Sequence, residues 1–392
     1  MSSQLEYGTV SSPEDAQQLG KLLSQCFGDS LTDWQPYFES IGQDNFRCIR
    51  QAGQVVGGLA IYFMGQWYGS QLVPMAGIAA VGIAPESRGT GAAYELMKGT
   101  LQELYDRGVP ISTLYAATQV LYRKVGYEQG GSRCCWELST QSIQIKDRHL
   151  PIQSITPVGY EAFQDLYSQQ AQLNNGNLAR HQALWKRVVE SSNEQPIYAY
   201  LLGSENQPEG YVIFTQRQET GGLLIGIKDW VVLTPAAARR FWTFLADHRS
   251  QVSRVRWFSS PMDSLTLLLP EQTAKIHQQE RWMLRIIDVP KALKKRGYPL
   301  SIDTELHLQV RDDLFPQNNS NFVFNVSAGR GEVTKGGKGE FCLDVRGLAS
   351  LYTGLFTPHQ LQLIGHLDAT TEALSRATQL FSGSSPWMPD FF

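Results

Sequence analysis

The residues whose types and spacing could do chemistry gather in one stretch, Val81-Gly82-Ile83-Ala84-Pro85-Glu86-Ser87-Arg88-Gly89-Thr90-Gly91-Ala92-Ala93. An apolar run meets a proline, then glycines and small side chains, then a helical pattern, so a strand turns into a helix here. At such a turn, successive backbone N–H groups and the positive end of the helix can hold a diphosphate. The spacing reads Arg88-x-x-Gly91-x-Ala93. It is not a Walker A loop, because no Lys-Ser/Thr pair follows, and it is not GxGxxG, because the third glycine is absent. A tight turn that simply requires glycine is the competing reading. Metal chemistry finds no pattern to use. The seven histidines (149, 181, 248, 277, 307, 359 and 366) are scattered, and the five cysteines (26, 48, 134, 135 and 342) form no CxxC pair. No metal site is expected.

The elements that must position this turn follow from periodicity. Pro13 to Phe27 is a helical pattern that Ser12 can cap, with Ala16, Leu19, Leu22, Leu23 and Cys26 at helical spacing. Val55 to Phe63 and Met75 to Pro85 read as strands around a Gly69-Ser70 turn. After the glycine turn comes an amphipathic helix carrying Leu96, Met97, Leu101, Leu104 and Tyr105, with Gly108 near its end. A short strand (Thr113 to Ala117), a short helix (Gln119 to Lys124) and a closing strand (Ser132 to Leu138) follow. The order makes an α/β domain with a mixed sheet.

A second zone, from about Pro151 to Val289, repeats that order in outline. Helical stretches at Tyr160 to Gln172 and Leu178 to Glu190 precede strands at Ile197 to Leu202, Glu209 to Gln216 and Leu223 to Leu233. Then comes a helix capped by Thr234 with Pro235 at its first position, and a strand from Val252 to Phe258. Val232-Leu233-Thr234-Pro235 falls where Ile83-Ala84-Pro85 falls in the first zone, so the zones read as a duplication. The glycine-rich turn is missing from the second copy. Lys291 to Pro299 reads as a basic linker. The third zone alternates strands (Thr304 to Val310, Asn321 to Val326, Glu340 to Val345) and helices (Arg346 to Leu355, Thr357 to Gly365, Ala369 to Phe381), with Gly329 to Gly339 as a hairpin loop. The tail ends Pro-Trp-Met-Pro-Asp-Phe-Phe, too apolar for a disordered end, and is expected to dock.

Composition bounds the function. A chain of 392 residues is long enough for two or three domains, and 42% hydrophobic content can fill their cores. A net charge of −3 supplies no basic field for nucleic acid or an anionic membrane. The sparse, odd cysteine count argues for a reducing compartment, and the N-terminus lacks the marks of a signal peptide. The most apolar stretch, Val73 to Pro85, is too short to span a bilayer. A cytoplasmic protein is expected.

Strand, Arg-x-x-Gly-x-Ala and helix together resemble the coenzyme A pyrophosphate motif of the GNAT acetyltransferase superfamily. Leu121-Tyr122-Arg123-Lys124-Val125-Gly126-Tyr127 resembles that superfamily's Phe/Leu-Tyr-x-x-x-Gly-Phe/Tyr segment. Trp67-Tyr68-Gly69, Val73-Pro74, Gly77-Ile78, the run from Arg281 through Leu293 with Arg296-Gly297-Tyr298, Leu348 to Gly354, and a terminal Phe392 resemble the Eis (enhanced intracellular survival) acetyltransferases. The resemblance covers essentially the whole chain.

It implies tandem GNAT folds (α+β, mixed sheets) followed by a sterol-carrier-protein-like α+β domain. The expected divisions are 1–149 for a catalytic GNAT domain, 150–290 for a second one lacking the coenzyme loop, and 291–392 for the sterol-carrier-like domain, whose tail reaches the active site. Acetyl-CoA is the implied co-substrate, held by Val81, Gly82, Ile83, Arg88, Gly89, Thr90, Gly91, Ala92 and Ala93. A backbone N–H of the Val81–Ile83 strand is the expected oxyanion donor. Tyr122 is implied as the general acid that protonates the departing thiolate, and the Phe392 carboxylate as the general base. Phe27, Asp29 and Trp34 are implied in the acceptor pocket, where acidic and aromatic walls suit a cationic amine. The acceptor class is a primary amine (aminoglycoside, polyamine-like or lysine), and the assembly a hexamer built as a trimer of dimers. Ala117-Thr118, Asp390-Phe391 and Ala80 depart from the Eis pattern on the acceptor side, which puts broad aminoglycoside activity in doubt. A non-catalytic acyl-CoA or lipid-binding protein using the sterol-carrier-like domain is the competing reading.

Overall fold

A computed structural model describes residues 4–28, 34–190 and 195–392. Contacts divide the chain into two compact units. The first holds the residues up to Gly130 together with Trp282–Gly383 and Phe391–Phe392; the second holds Gly131–Arg281 and Ser384–Asp390.

The first unit begins with β1 (Leu5–Thr9), α1 (Pro13–Phe27), α2 (Trp34–Ile41), β2 (Phe46–Gln51), β3 (Gln54–Tyr68), β4 (Gln71–Ile83), α3 (Ala92–Asp106), β5 (Ile111–Tyr115) and α4 (Gln119–Lys124), and β6 (Glu128–Ser139) starts within it. Strands β1 to β4 form an antiparallel meander, and β5 adds to β4 in parallel. Residues 282–286 of the strand Lys275–Ile286 then pair antiparallel with β5. The helix α1 starts where Ser12 accepts the Asp15 N–H, with Pro13 inside the first turn. The β3–β4 hairpin turns at Gly69 and Ser70, both at positive φ (55° and 60°), the geometry that matches strand twist. One face of the sheet packs Ile61, Ile78 and Leu114 against Leu96, Met97 and Leu101 of α3.

Within the same unit, a five-stranded sheet runs in the order Arg330–Lys335, Ser320–Ser327, Thr304–Arg311, Phe341–Asp344, Leu367–Ala369. The helices Val345–Thr353, Pro358–Leu363 and Thr371–Leu380 accompany it. Two expectations change here. The glycine-rich segment 329–339 is not all loop: Arg330–Lys335 is an edge strand paired with Ser320–Ser327. The basic segment read as a linker begins inside the helix Val289–Lys295, which Asp288 caps, and Arg296 just after that helix is buried, donating to the Tyr352 and Gly297 carbonyls. Buried carbonyl acceptors explain how a lysine- and arginine-rich run can be structural.

The second unit repeats the meander with Ile197–Ser204, Gln207–Glu219 and Gly222–Val232, the helix Pro235–Asp247, and the parallel strand Val252–Ser259. Its core holds Phe214, Ile225, Phe241, Trp242, Val255 and Trp257.

Candidate active site

The turn singled out in the sequence lies at an opening in the first unit's sheet. Strand β4 pairs with β5 only from Met75↔Ile111 to Ile78↔Leu114. Immediately after, Ala80 and Val81 stand opposite Leu59 alone, a bulge with Ala80 at φ 49°. From Ala79 to Ile83 the β4 backbone therefore has no β5 partner, and its groups face a gap between diverging strands.

That gap leads to the N-terminus of α3. Gly89 (φ 79°) and Gly91 (φ 93°) take the left-handed conformation that favours glycine, and a Cβ at either would meet no atom within 4 Å. Gly91 is the N-cap, so no side chain closes the helix end, and Glu95 N–H to Gly91 O at 3.0 Å is the first bond of the helix. The N–H groups of Ala92 and Ala93 point out of that end. Arg88 donates from Nε to Ile83 O (3.3 Å), and Thr90 donates to Ser87 O (2.7 Å), fixing the loop from within. An uncapped helix end, two left-handed glycines and open space fit a coenzyme diphosphate.

The second unit supplies a contrast at the same point of the repeat. Thr234 accepts from Ala237 N–H, donates to Glu209, and is followed by Pro235, so that helix end is closed by protein. Where its strands diverge, Trp230 donates its indole N–H to Phe258 O at 2.9 Å and bridges the two strands.

Tyr122 lies on α4, buried with Val125 and Tyr127 in the core under α3. Burial pushes its hydroxyl up to about 12, and no group among the described residues hydrogen-bonds it. Tyr127 has its ring centroid 6.0 Å away, but its hydroxyl is committed to Ser112 Oγ (2.7 Å), which bonds Ala76 O (2.7 Å). Of the two, only Tyr122 keeps its proton available.

The chain terminus also belongs to this unit. Phe392 is buried (8% exposed), with its ring 5.9 Å from Tyr62 of β3 and 6.0 Å from Tyr115 of β5. Phe391 is half exposed, its ring 4.6 Å from Tyr115.

Family models match the chain at residues 10–130 and 176–286, each an acetyltransferase (GNAT) domain, and at 289–389, a sterol carrier protein domain. A solved GCN5-related N-acetyltransferase from Anabaena variabilis is 55% identical, with a TM-score of 0.97 over 99% of this chain and 100% of that one. The chain belongs to the GCN5-related N-acetyltransferases. A GCN5-related N-acetyltransferase from Kribbella flavida is 28% identical (TM-score 0.87, covering 100% and 99%). The N-acetyltransferase Eis of Mycobacterium tuberculosis is 24% identical over 91% of each chain. This GNAT protein is thus an Eis-like acetyltransferase with two GNAT domains and a sterol-carrier-like domain.

Other expected site residues of this GNAT enzyme are placed less directly. Phe27 ends α1 and is 42% exposed. Trp34 packs on α1, where a Cβ at Gly20 would lie 2.2 Å from its ring, and its ring meets Phe38 edge-on at 5.0 Å. Asp29 lies outside the described residues. Sequence reading did not find Tyr62, Gly77 or Tyr115 beside Phe392, because these meet only through strand pairing; the one signal was the apolar tail. Among the described residues no group of three or more His, Cys, Asp or Glu is placed to hold a metal ion, and no helix is long and apolar enough to cross a membrane.

Proposed function

We propose that this acetyltransferase moves the acetyl group of acetyl-CoA to a primary amine by direct transfer, with Tyr122 as general acid and the Phe392 carboxylate as general base. Acetyl-CoA supplies an activated thioester; the chain supplies position, a proton and a base. The backbones of Val81, Gly82 and Ile83 would hold the pantetheine arm along the gap, and a Val81–Ile83 N–H would serve as the oxyanion donor. Arg88, Gly89, Thr90, Gly91, Ala92 and Ala93 form the diphosphate seat. The observation that carries the reading is that one unit holds an open helix end, a tyrosine hydroxyl with no hydrogen-bond partner among the described residues, and Phe392.

Magnitudes allow it. A proton moving from Tyr122 at about 12 to a thiolate near ~8.5 goes uphill by about 5 kcal/mol. Burial of the kind that raises the tyrosine would also raise a thiol held beside it, which narrows the gap for a concerted step. An α-carboxylate near ~3.5 is a weak base toward an ammonium near ~10. Its negative charge attracts the ammonium, and the amine gives up its proton to it as the acetyl group transfers.

The reading includes Phe27, Asp29 and Trp34 near the acceptor, a second GNAT domain that holds no coenzyme, a cytoplasmic setting and a homo-oligomer. Mass spectrometry tests direct transfer: an acetylated amine should form with native chain, and no acetyl-enzyme should accumulate when the amine is withheld. A stable acetyl-enzyme would overturn direct transfer, and coenzyme binding with no acetylated amine would favour the acyl-CoA-binding reading.

A further inference from the structure

The ring of the terminal residue occupies a recess that one missing side chain creates. Gly77 on β4 pairs directly with Tyr62 of β3 and with Thr113 of β5. Residues directly opposite each other across paired strands share a face, as do residues two apart along one strand. Tyr62, Met64 and Tyr115 therefore stand around Gly77 on the face opposite to the one that Ile61, Ile78 and Leu114 turn toward α3. Phe392 lies over the glycine itself. A Cβ at Gly77 would come within 2.7 Å of Phe392 Cε2 and 3.1 Å of Cζ, and within 2.6 Å of Met64 Cε. The backbone at Gly77 needs no left-handed φ, so nothing in the strand's own conformation calls for glycine there. The seat lies one residue before the β4–β5 pairing ends and three before the bulge at Ala80.

We propose that Gly77 is a positioning residue that seats the Phe392 ring and thereby sets where the terminal carboxylate stands. The inference rests on the reading of that carboxylate as the general base. Carbon atoms in contact sit at about 3.5–4.0 Å, so a methyl group at position 77 pushes the ring back by roughly 1 Å. A displacement of that size at a reacting group costs on the order of 10²-fold in rate.

The test uses the full chain, with thiol release from acetyl-CoA measured against one accepted amine. Gly77→Ala is expected to lower kcat ~10²-fold while the KM for acetyl-CoA changes by less than about threefold. Phe392→Leu in the same chain removes the ring atoms that the new methyl would meet, leaving the flexible end of Met64 beside it, and keeps the carboxylate. The double variant is expected to recover at least about tenfold of the lost kcat, a rescue that a general fold defect would not show. Phe392→Leu alone, with Gly77 intact and the sheet untouched, is expected to lower kcat severalfold by loosening the seat. An unchanged kcat in Gly77→Ala, or a double variant no better than that single one, overturns the proposal. A chain ending at Phe391 separates the two readings: if it keeps native kcat, the carboxylate has no catalytic role; if it is inactive while Gly77→Ala turns over normally, only the seat is wrong.

Discussion

Tyr122 and Tyr127 are both buried, yet only Tyr127 spends its hydroxyl on the protein, at Ser112. The difference supports Tyr122 as the proposed acid. Tyr122→Phe removes the proposed proton donor and little packing, so kcat should fall ~10²–10⁴-fold with the KM for acetyl-CoA nearly unchanged, in a thiol-release assay. Tyr127→Phe should keep kcat within a few-fold and cost about 1 kcal/mol in urea unfolding, the worth of its hydrogen bond. The pH profile distinguishes the same groups. Burial raises Tyr122 from 10.0 to about 12, so the acid stays protonated through pH 10 and the alkaline limb should show no inflection there. A fall centred at pH 10 would mean an exposed acid. The Leu-Tyr-x-x-x-Gly-Tyr segment, by its resemblance to the superfamily's, singled out Tyr122 in the sequence, whereas no local pattern could reveal which of the two hydroxyls Ser112 holds.

At the scale of elements, α3 is held at one end and open at the other. Buried Arg47 of β2 donates from Nε and Nη2 to Glu103 of α3 (both 2.6 Å), and Tyr7 of β1 donates to the same carboxylate (2.6 Å). Burial alone would raise Glu103, but the Arg47 and Tyr7 hydrogen bonds outweigh it and hold the carboxyl below its usual value. A depressed carboxyl contributes stability above its unfolded value, near 4.5, that is lost as pH falls through the folded one. Arg47→Met should cost about 3–5 kcal/mol at pH 7, read as a lower urea midpoint, and should flatten the acid side of the stability curve. At the open end, Gly91→Val forces a branched residue to φ 93°, at about 1–2 kcal/mol, and crowds the exposed N–H groups. The KM for acetyl-CoA should rise roughly tenfold or more, as when a hydrogen bond to a charged group is lost. Helices with chemical caps were readable: α1 begins after Ser12 as expected, and Thr234 and Pro235 start the second unit's helix. Strands β1 and β2 and the strand Lys275–Ile286 were not. The last opens with the exposed, polar Lys-Ile-His-Gln-Gln-Glu and shows its apolar half only from Trp282 onward, so no alternation marks it.

For the whole molecule, the sequence carried the repeat and the closed second helix end but not the buried charges that hold the tail. In the second unit, Arg180 donates to both oxygens of Asp229 (2.6 and 2.9 Å) and to Asp390 (2.8 Å), while Tyr211 donates to Asp229 (2.6 Å). Residues 180, 211, 229 and 390 share no periodicity, so only the fold assembles them. Arg180→Ala leaves two buried carboxyls without their cation and should cost about 3–5 kcal/mol in urea unfolding. Net charge said little because such charges cancel in pairs. The proposed role of the Phe392 carboxylate as general base can be tested on the whole chain. Its most direct test is amine-dependent thiol release from acetyl-CoA by the native chain and by a chain ending at Phe391, with coenzyme binding measured on both. The shortened chain should bind acetyl-CoA as the native one does and release thiol at least ~10²-fold more slowly. Equal turnover by the two chains, or none by the native chain with any primary amine, would contradict it.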